Sequence, residues 1–305
     1  SMKINEEKLT LKYRAKTFYF ASLFLPTKIK NDIENLYIFC RLLDDLGDDQ
    51  NLSKIESSKK LQKVKKQIKK KKSTFPVVQK FIELMIKHKI NENVPIELIK
   101  GIEYDLKGEV NIKTFEELIK YCYQVAGTVG YMFCKIIGVK EKKLILGGIQ
   151  LGIAMQLTNI SRDVAEDLKM NRVYLPKSMR SYKSNDRERI FRNNSIKKQL
   201  SKDLLVLLKK AELFYENSWI SIIKLKKKYG IPISIAAELY RKIGKKIIQK
   251  NGNIWVNRIY INFFEKVFFS IIIIFKLYFS KNLFHKNDVE KNLILMLKKL
   301  NVKFN

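Results

Sequence analysis

The chain has 305 residues, 46% of them hydrophobic, with only 5 prolines and 12 glycines; that composition excludes a disordered chain and leaves little turn material for a sheet protein, so a large all-helical domain is expected. Its three cysteines, Cys40, Cys122 and Cys134, have no metal-ligand spacing and leave one over, which argues for free buried thiols in a reducing compartment rather than a disulfide or zinc framework. The formal net charge is +31. An anionic membrane surface fits that charge, at about 1 kcal/mol per basic residue near the lipid; nucleic acid does not, because no binding motif or alternation of aromatic and basic residues accompanies it.

Taken in order, the pattern predicts a first helix over Asn5 to Ala21, stopped by Pro26, and a second over Lys28 to Gly47. The second ends in YIFCRLLDDLGDD, where Tyr37, Arg41, Asp44 or Asp45, and Asp48 recur at intervals of three and four and so share one face. Lys59 to Lys72 holds nine lysines, yet Leu61, Val64 and Ile68 keep helical spacing, as in a charged surface helix. Pro76 and Pro95 are expected to open the next two helices, where a missing amide hydrogen costs nothing. The second of these carries Glu103 and Asp105 near its end, with a surface role or a site role equally open.

A helix over Phe115 to Val139 includes Tyr121, Val125, Gly127 and Gly130. Two helical glycines cost about 1 kcal/mol each relative to alanine, which implies close approach by another helix or by a bulky ligand. The next helix, Glu141 to Met170, carries a second acidic motif: Gly152, Gln156, Asn159, Asp163 and Asp167 align on one face, with Ile153, Ile160 and Val164 on the flanks. Carboxylates one turn apart repel by a few tenths of a kcal/mol, so either a cation lies between them or they are exposed acidic turns with local ion pairs. Magnesium is the natural cation, since it is held by one or two carboxylates together with substrate phosphates. Each motif also has an arginine, Arg41 or Arg162, able to take phosphate oxygens as a fork.

The polar run Ser178 to Asn194 is expected to be a mobile loop, followed by helices over Ile196 to Tyr229 and Ile231 to Lys250. The apolar run Val267 to Phe275 is too short to span a bilayer, which takes about 20 residues. Burial in the core is the preferred expectation, with an interfacial helix in lipid or a tunnel wall as alternatives. A basic helix, Asp288 to Lys299, ends the pattern.

Five segments, in order, resemble the squalene and phytoene synthase family, the head-to-head prenyl synthases: KTFYFASLFLP at Lys16 to Pro26, CRLLDDLGDD, VAGTVG at Val125 to Gly130, QLTNISRDVAED at Gln156 to Asp167, and NRVYLP. The wording is most like bacterial phytoene synthases, and the resemblance is clearest over residues 13–258. It implies one domain over residues 1–305, an all-α, single-domain terpenoid-synthase-type helical bundle with a central prenyl-binding cavity. By the same resemblance, Asp44, Asp48, Asn159, Asp163 and Asp167 hold Mg2+, three ions with diphosphate bound, and Tyr37 and Tyr121 join the catalytic set. Lys16, Thr17, Arg41, Gln156, Arg162, Arg172, Tyr174, Tyr240 and Arg258 face the diphosphates, while Phe18, Val125, Gly127 and Gly130 lie beside the prenyl chain. Ala15 stands where the family usually has serine, removing one hydrogen-bond donor.

The activity implied is condensation of two geranylgeranyl diphosphates to phytoene through a cyclopropylcarbinyl diphosphate. A squalene or dehydrosqualene synthase using farnesyl diphosphate is the alternative, with NADPH needed only for squalene. A head-to-tail elongator or cyclase would share the aspartates but usually not the QLTNISRDV wording, and a non-catalytic membrane assembly factor would be expected to have lost acids. With no apolar leader after Met2, the expected location is cytoplasmic, peripheral on the inner face of the membrane. No oligomeric state follows from the sequence.

Overall fold

The computed structural model of the protein describes residues 20–49, 51–107, 110–182, 187–256, 258–279 and 288–302. Lys16, Thr17 and Phe18, and with them the start of the first expected helix, lie outside those residues. Among the described residues all regular structure is helical: α1 Thr27–Asp48, α2 Lys54–Lys70, α3 Pro76–Lys87, α4 Asn93–Leu106, α5 Phe115–Cys122, a π-turn Tyr123–Gly127, α6 Thr128–Ile136, α7 Lys142–Arg162, α8 Val164–Lys169, α9 Arg187–Arg192, α10 Asn194–Ile222, α11 Lys227–Gln249, α12 Phe263–Phe279 and α13 Val289–Lys299.

Local chemistry accounts for several boundaries. Ser53 and Glu56 form a reciprocal capping box at the start of α2, whose Leu61, Val64 and Ile68 are buried beneath the lysines as their spacing requires. Pro76 opens α3, whereas Pro95 lies in the first turn of a helix that begins two residues earlier, at Asn93; the first four amides of a helix have no internal partner, so nothing is lost.

At the centre runs α7, packed against α5, the π-turn, α6, α10 and α11. Its 21 residues are long and apolar enough to cross a membrane, but most of them are buried in the protein, as in a core helix. The crossing with α6 is made backbone to backbone. A Cβ on Gly130 would fall within the van der Waals radius of the Gly148 carbonyl, and one on Gly152 would meet the Ala126 carbonyl. A neighbouring helix is therefore what the glycines at 127 and 130 admit, since Gly127 faces Tyr123 and Ile149. The segment expected as one helix over Phe115 to Val139 is interrupted by the π-turn next to this crossing, a feature that recurs at functional sites.

Four other expectations are corrected. The acidic-motif helix is not continuous to Met170: Asp163 leaves helical geometry (φ −102°, ψ 12°) between α7 and α8, although its amide still donates to Asn159 and its carbonyl still accepts from Asp167. The stretch from Ser178 is tied down rather than free where it is described: Ser181 donates its amide and its hydroxyl to Asp203, Arg180 donates to the Leu175 carbonyl, Tyr182 is buried, and α9 follows. The boundary between the two long late helices falls at residues 223–226, not at Gly230, because α11 runs through Gly230 and Pro232; a proline one turn inside deprives few carbonyls of a donor. The run Val267 to Phe275 is not buried. It lies within α12, whose Phe264, Phe268, Ile271 and Phe275 are exposed. The cysteines are free, with Cys122 and Cys134 buried.

Candidate active site

The first acidic motif ends α1. Tyr37, Arg41, Asp44 and Asp48 follow one another along one face, with Leu36, Phe39, Leu43 and Leu46 buried on the other. Arg41 reaches Asp45 at 2.7 Å and stands 3.9 Å from Asp44. The second motif ends α7 and begins α8. Gly152, Gln156 and Asn159 are partly open on a helix otherwise largely buried, and Ile153, Ile160 and Val164 are buried as expected. Arg162 forks onto Asp163 with two 2.6 Å bonds, and Arg258 takes the same carboxylate at 3.0 and 3.2 Å. Tyr240, on α11, hydrogen-bonds Arg162. Two arginines on one carboxylate hold Asp163 at the break between α7 and α8.

The two motifs face each other. Arg172, from the strap after α8, donates to Asp48 across the gap at 3.1 Å. That strap is positioned by Asn171, whose positive φ of 60° ends α8, by the Arg172 amide donating to Asp167, and by the Lys177 and Ser178 amides donating to Ile112 and Lys113.

A fifth carboxylate joins them. Asp105, at the end of α4, accepts hydrogen bonds from Tyr121 at 3.0 Å and Tyr174 at 2.9 Å, whose rings stack 5.0 Å apart. The sequence left Asp105 between surface and site; the pair of phenols and its charge coupling to Asp44, Asp48, Asp167 and Arg172 place it in the site. Its companion Glu103 belongs to the scaffold, pairing with Lys65 and Gln62 of α2. No local spacing links Asp105 to either motif, although the tyrosines at 121 and 174 were a usable signal.

Crowding of like charge dominates the electrostatics. The Asp44 side chain is 50% exposed, yet it stands among the charges of Asp45, Asp48, Asp105 and Arg41. Desolvation there, opposed by Arg41 and reinforced by Asp48, Asp45 and Asp105, pushes its pKa up to about 7. Burial and then Asp163 raise Asp167 to about 7, against Arg172, and burial raises Asp105 to about 6 against Arg172 and the two phenols. Carboxylates so raised are stabilised by an added cation. The buried Asn159 Oδ1 has no hydrogen-bond partner, and it lies one turn before Asp163 as an oxygen donor of the kind a hard cation takes. The buried Arg41 Nε is likewise an unmatched donor. Among the described residues no three acidic, histidine or cysteine side chains stand close enough to hold a metal alone. The donor set therefore fits magnesium that completes its shell with phosphate oxygens and water.

A stability test follows from the sign of these shifts. A carboxylate raised above its ordinary value binds more protons in the folded than in the unfolded state, so stability is lost as pH climbs from about 4 to about 7. Asp167→Asn should therefore raise Tm by about 3 °C or more at pH 8 without metal, and change it little at pH 4. Thermal melts at the two pH values check this.

Surface clefts of about 500 Å3 beside Met85 and about 850 Å3 beside Arg258 contain no carboxylate of either motif.

Comparison with known proteins fixes the class. The helical arrangement is shared with a dehydrosqualene synthase solved with a ligand, at TM-score 0.76 and 25% identity over 88% of this chain and 94% of that one. A squalene synthase from Alicyclobacillus acidocaldarius has the same fold, at TM-score 0.70 and 19% identity over 81% of this chain and 93% of that one. This is the all-α fold of terpenoid synthases. The squalene/phytoene synthase family model matches residues 11–265. A 15-cis-phytoene synthase of Enterobacter agglomerans is 30% identical over 80% of this chain and 85% of its own length, and one of Pantoea ananas is 28% identical over 84% and 85%. The chain belongs to the squalene/phytoene synthase family and is a prenyltransferase.

Proposed function

We propose that the enzyme joins two geranylgeranyl diphosphates head to head to form phytoene, with magnesium and without a reductant. The observation that carries the ionisation chemistry is the meeting of Asp44, Asp48, Asp105, Asp163 and Asp167 from separate helices, three of them with raised pKa values, beside Arg41, Arg162, Arg172 and Arg258. The likeness to bacterial phytoene synthases over most of the chain supports the product.

Ionisation of an allylic diphosphate requires stabilisation of the departing pyrophosphate and exclusion of water from the allylic cation. Magnesium held by Asp44, Asp48, Asn159, Asp163 and Asp167 would supply Lewis-acid stabilisation of the leaving group. Arg41, Arg162, Arg172 and Arg258 bind the remaining phosphate oxygens, for which the guanidinium fork is suited. Gln156 lies on the same open face. Lys16 and Thr17 would add to the diphosphate site, and Phe18 to the prenyl wall. Val125 and the buried Tyr121, at and beside the π-turn, would lie along the prenyl chain, with Tyr37 one turn before Arg41. The cation left when the first substrate loses pyrophosphate is attacked by the double bond of the second, and loss of a proton closes the ring to a cyclopropylcarbinyl diphosphate. That intermediate ionises in turn, releasing a second pyrophosphate, and loss of a second proton from the resulting cation gives the hydrocarbon. Tyr121 and Tyr174, both donating to Asp105, form a buried polar relay able to hold and orient a proton beside the aspartates.

The competing reading, dehydrosqualene or squalene formation from farnesyl diphosphate, is favoured by the solved relatives of the fold. One five-carbon unit separates the substrates, and each buried methylene contributes about 0.8 kcal/mol. The test supplies each diphosphate separately, with and without NADPH, and identifies the hydrocarbon by mass. A C40 hydrocarbon from geranylgeranyl diphosphate without NADPH is expected. A C30 product with the C20 substrate unused would overturn the phytoene assignment, and a need for NADPH would then point to squalene.

A further inference from the structure

Helix α12 is built with its polarity reversed. The side chains it buries against α11 include Lys266 and Ser270, 7% and 3% exposed, together with Ile273 and Leu277. The side chains it presents outward are all apolar or aromatic: Phe264 at 83%, Phe268 at 61%, Phe275 at 61% and Phe279 at 77% exposed, with Ile271 and Tyr278 beside them. No charged residue of the helix is exposed; Glu265 is tied to Lys246, and Lys276 to Glu238. A helix face in water would alternate with charge. The ridge continues past the helix, since Phe263 meets Phe20 edge to face at 6.1 Å, and Phe20 meets the exposed Phe24.

Cations flank the ridge. Lys242 lies over the Phe269 ring at 4.4 Å and Lys227 over Tyr278 at 4.7 Å. At the N-terminal end of α12 the cleft of about 850 Å3 is lined by Lys246, Lys250 and Arg258, with the exposed Tyr260 at its edge. The matched family region ends at residue 265, so Phe268, Ile271, Phe275, Tyr278 and Phe279 lie beyond it.

We propose that α12 docks the enzyme on an anionic phospholipid bilayer, lying in the plane of the interface with the Phe264, Phe268, Phe275 and Phe279 side chains among the acyl chains and the flanking lysines at the headgroups. An apolar surface bordered by positive charge matches a partner with an apolar interior and a negative face. A second copy of this chain matches poorly, because pairing two such ridges would bring together the lysines of two molecules that each carry a net charge of +31. Spanning is excluded by geometry. One face of the helix is committed to α11, where it buries Lys266 and Ser270 against protein, so lipid cannot surround it as it would a spanning helix. The inference stands apart from the choice of prenyl substrate.

The test is sedimentation of the full chain with vesicles of phosphatidylcholine alone and of phosphatidylcholine with phosphatidylglycerol. The wild-type chain should partition onto the anionic vesicles, and salt should weaken this only in part, because screening within about 10 Å at 0.1 M removes the lysine contribution but not the apolar one. The triple variant Phe264→Ser, Phe268→Ser, Phe275→Ser should bind at least ~10-fold more weakly, with unchanged Tm and unchanged turnover of detergent-dispersed substrate. As a second readout, Phe268→Trp should give blue-shifted fluorescence, quenched by brominated lipid, when anionic vesicles are added. Equal binding by the triple variant and the wild-type chain would overturn the proposal. So would a Phe268→Trp signal that vesicles leave unchanged, or a dimer in solution that the triple variant dissociates while vesicle binding is absent throughout.

Discussion

Asp44→Asn should lower turnover at saturating magnesium by at least ~100-fold while the protein stays folded. The carboxylate acts on the departing pyrophosphate through the cation it helps to hold, and loss of one such preorganised electrostatic contribution costs on the order of 10² to 10³ in rate. Folding survives because the side chain is half exposed, and because Arg41 keeps its 2.7 Å contact with Asp45 when Asp44 becomes neutral. Asp163→Asn should lower turnover similarly, yet its stability behaves differently. It removes the charge that two guanidiniums share, so Tm should fall, whereas relief of like-charge crowding at Asp44 should leave Tm level or higher. Steady-state rates beside thermal melts separate the two effects. Near-normal turnover in either variant would refute the metal assignment.

Gly130→Ala should destabilise the protein by about 3 kcal/mol or more, at the upper end for overpacking. The added methyl would meet the Gly148 carbonyl and the backbone beyond it, not the end of a flexible side chain, so α6 and α7 must separate. Moving α7 moves everything packed on it, including the Asn159 to Asp167 stretch, and turnover should fall with stability. Thermal melts should register the loss, as a Tm lower by about 5 °C or more. A variant as stable as wild type would mean that the crossing is looser than its geometry.

What could be read from the residues was whatever repeats at helical spacing. Leu61, Val64 and Ile68 under the lysines, and Gln156 and Asn159 aligned with the acids, are local patterns, and they stand where the spacing puts them. The kink at Asp163 was not legible, because it is held by Arg258 from 95 residues away. Asp105 was ambiguous for the same reason: its phenolic partners arrive from 16 and 69 residues along the chain. The error at α12 has another origin. An apolar run states that its side chains avoid water, not whether protein or something else covers them, and only the burial of Lys266 and Ser270 reveals which face the protein took.

The account rests on magnesium joining the two acidic motifs through a substrate diphosphate. Calorimetric titration with an unreactive geranylgeranyl thiolodiphosphate tests this without turnover. The account predicts binding that requires magnesium, is abolished by chelator, and weakens at least ~10-fold in Asp44→Asn and in Asp167→Asn alike, one from each motif. Binding of equal strength in chelator, unchanged by both substitutions, would contradict it.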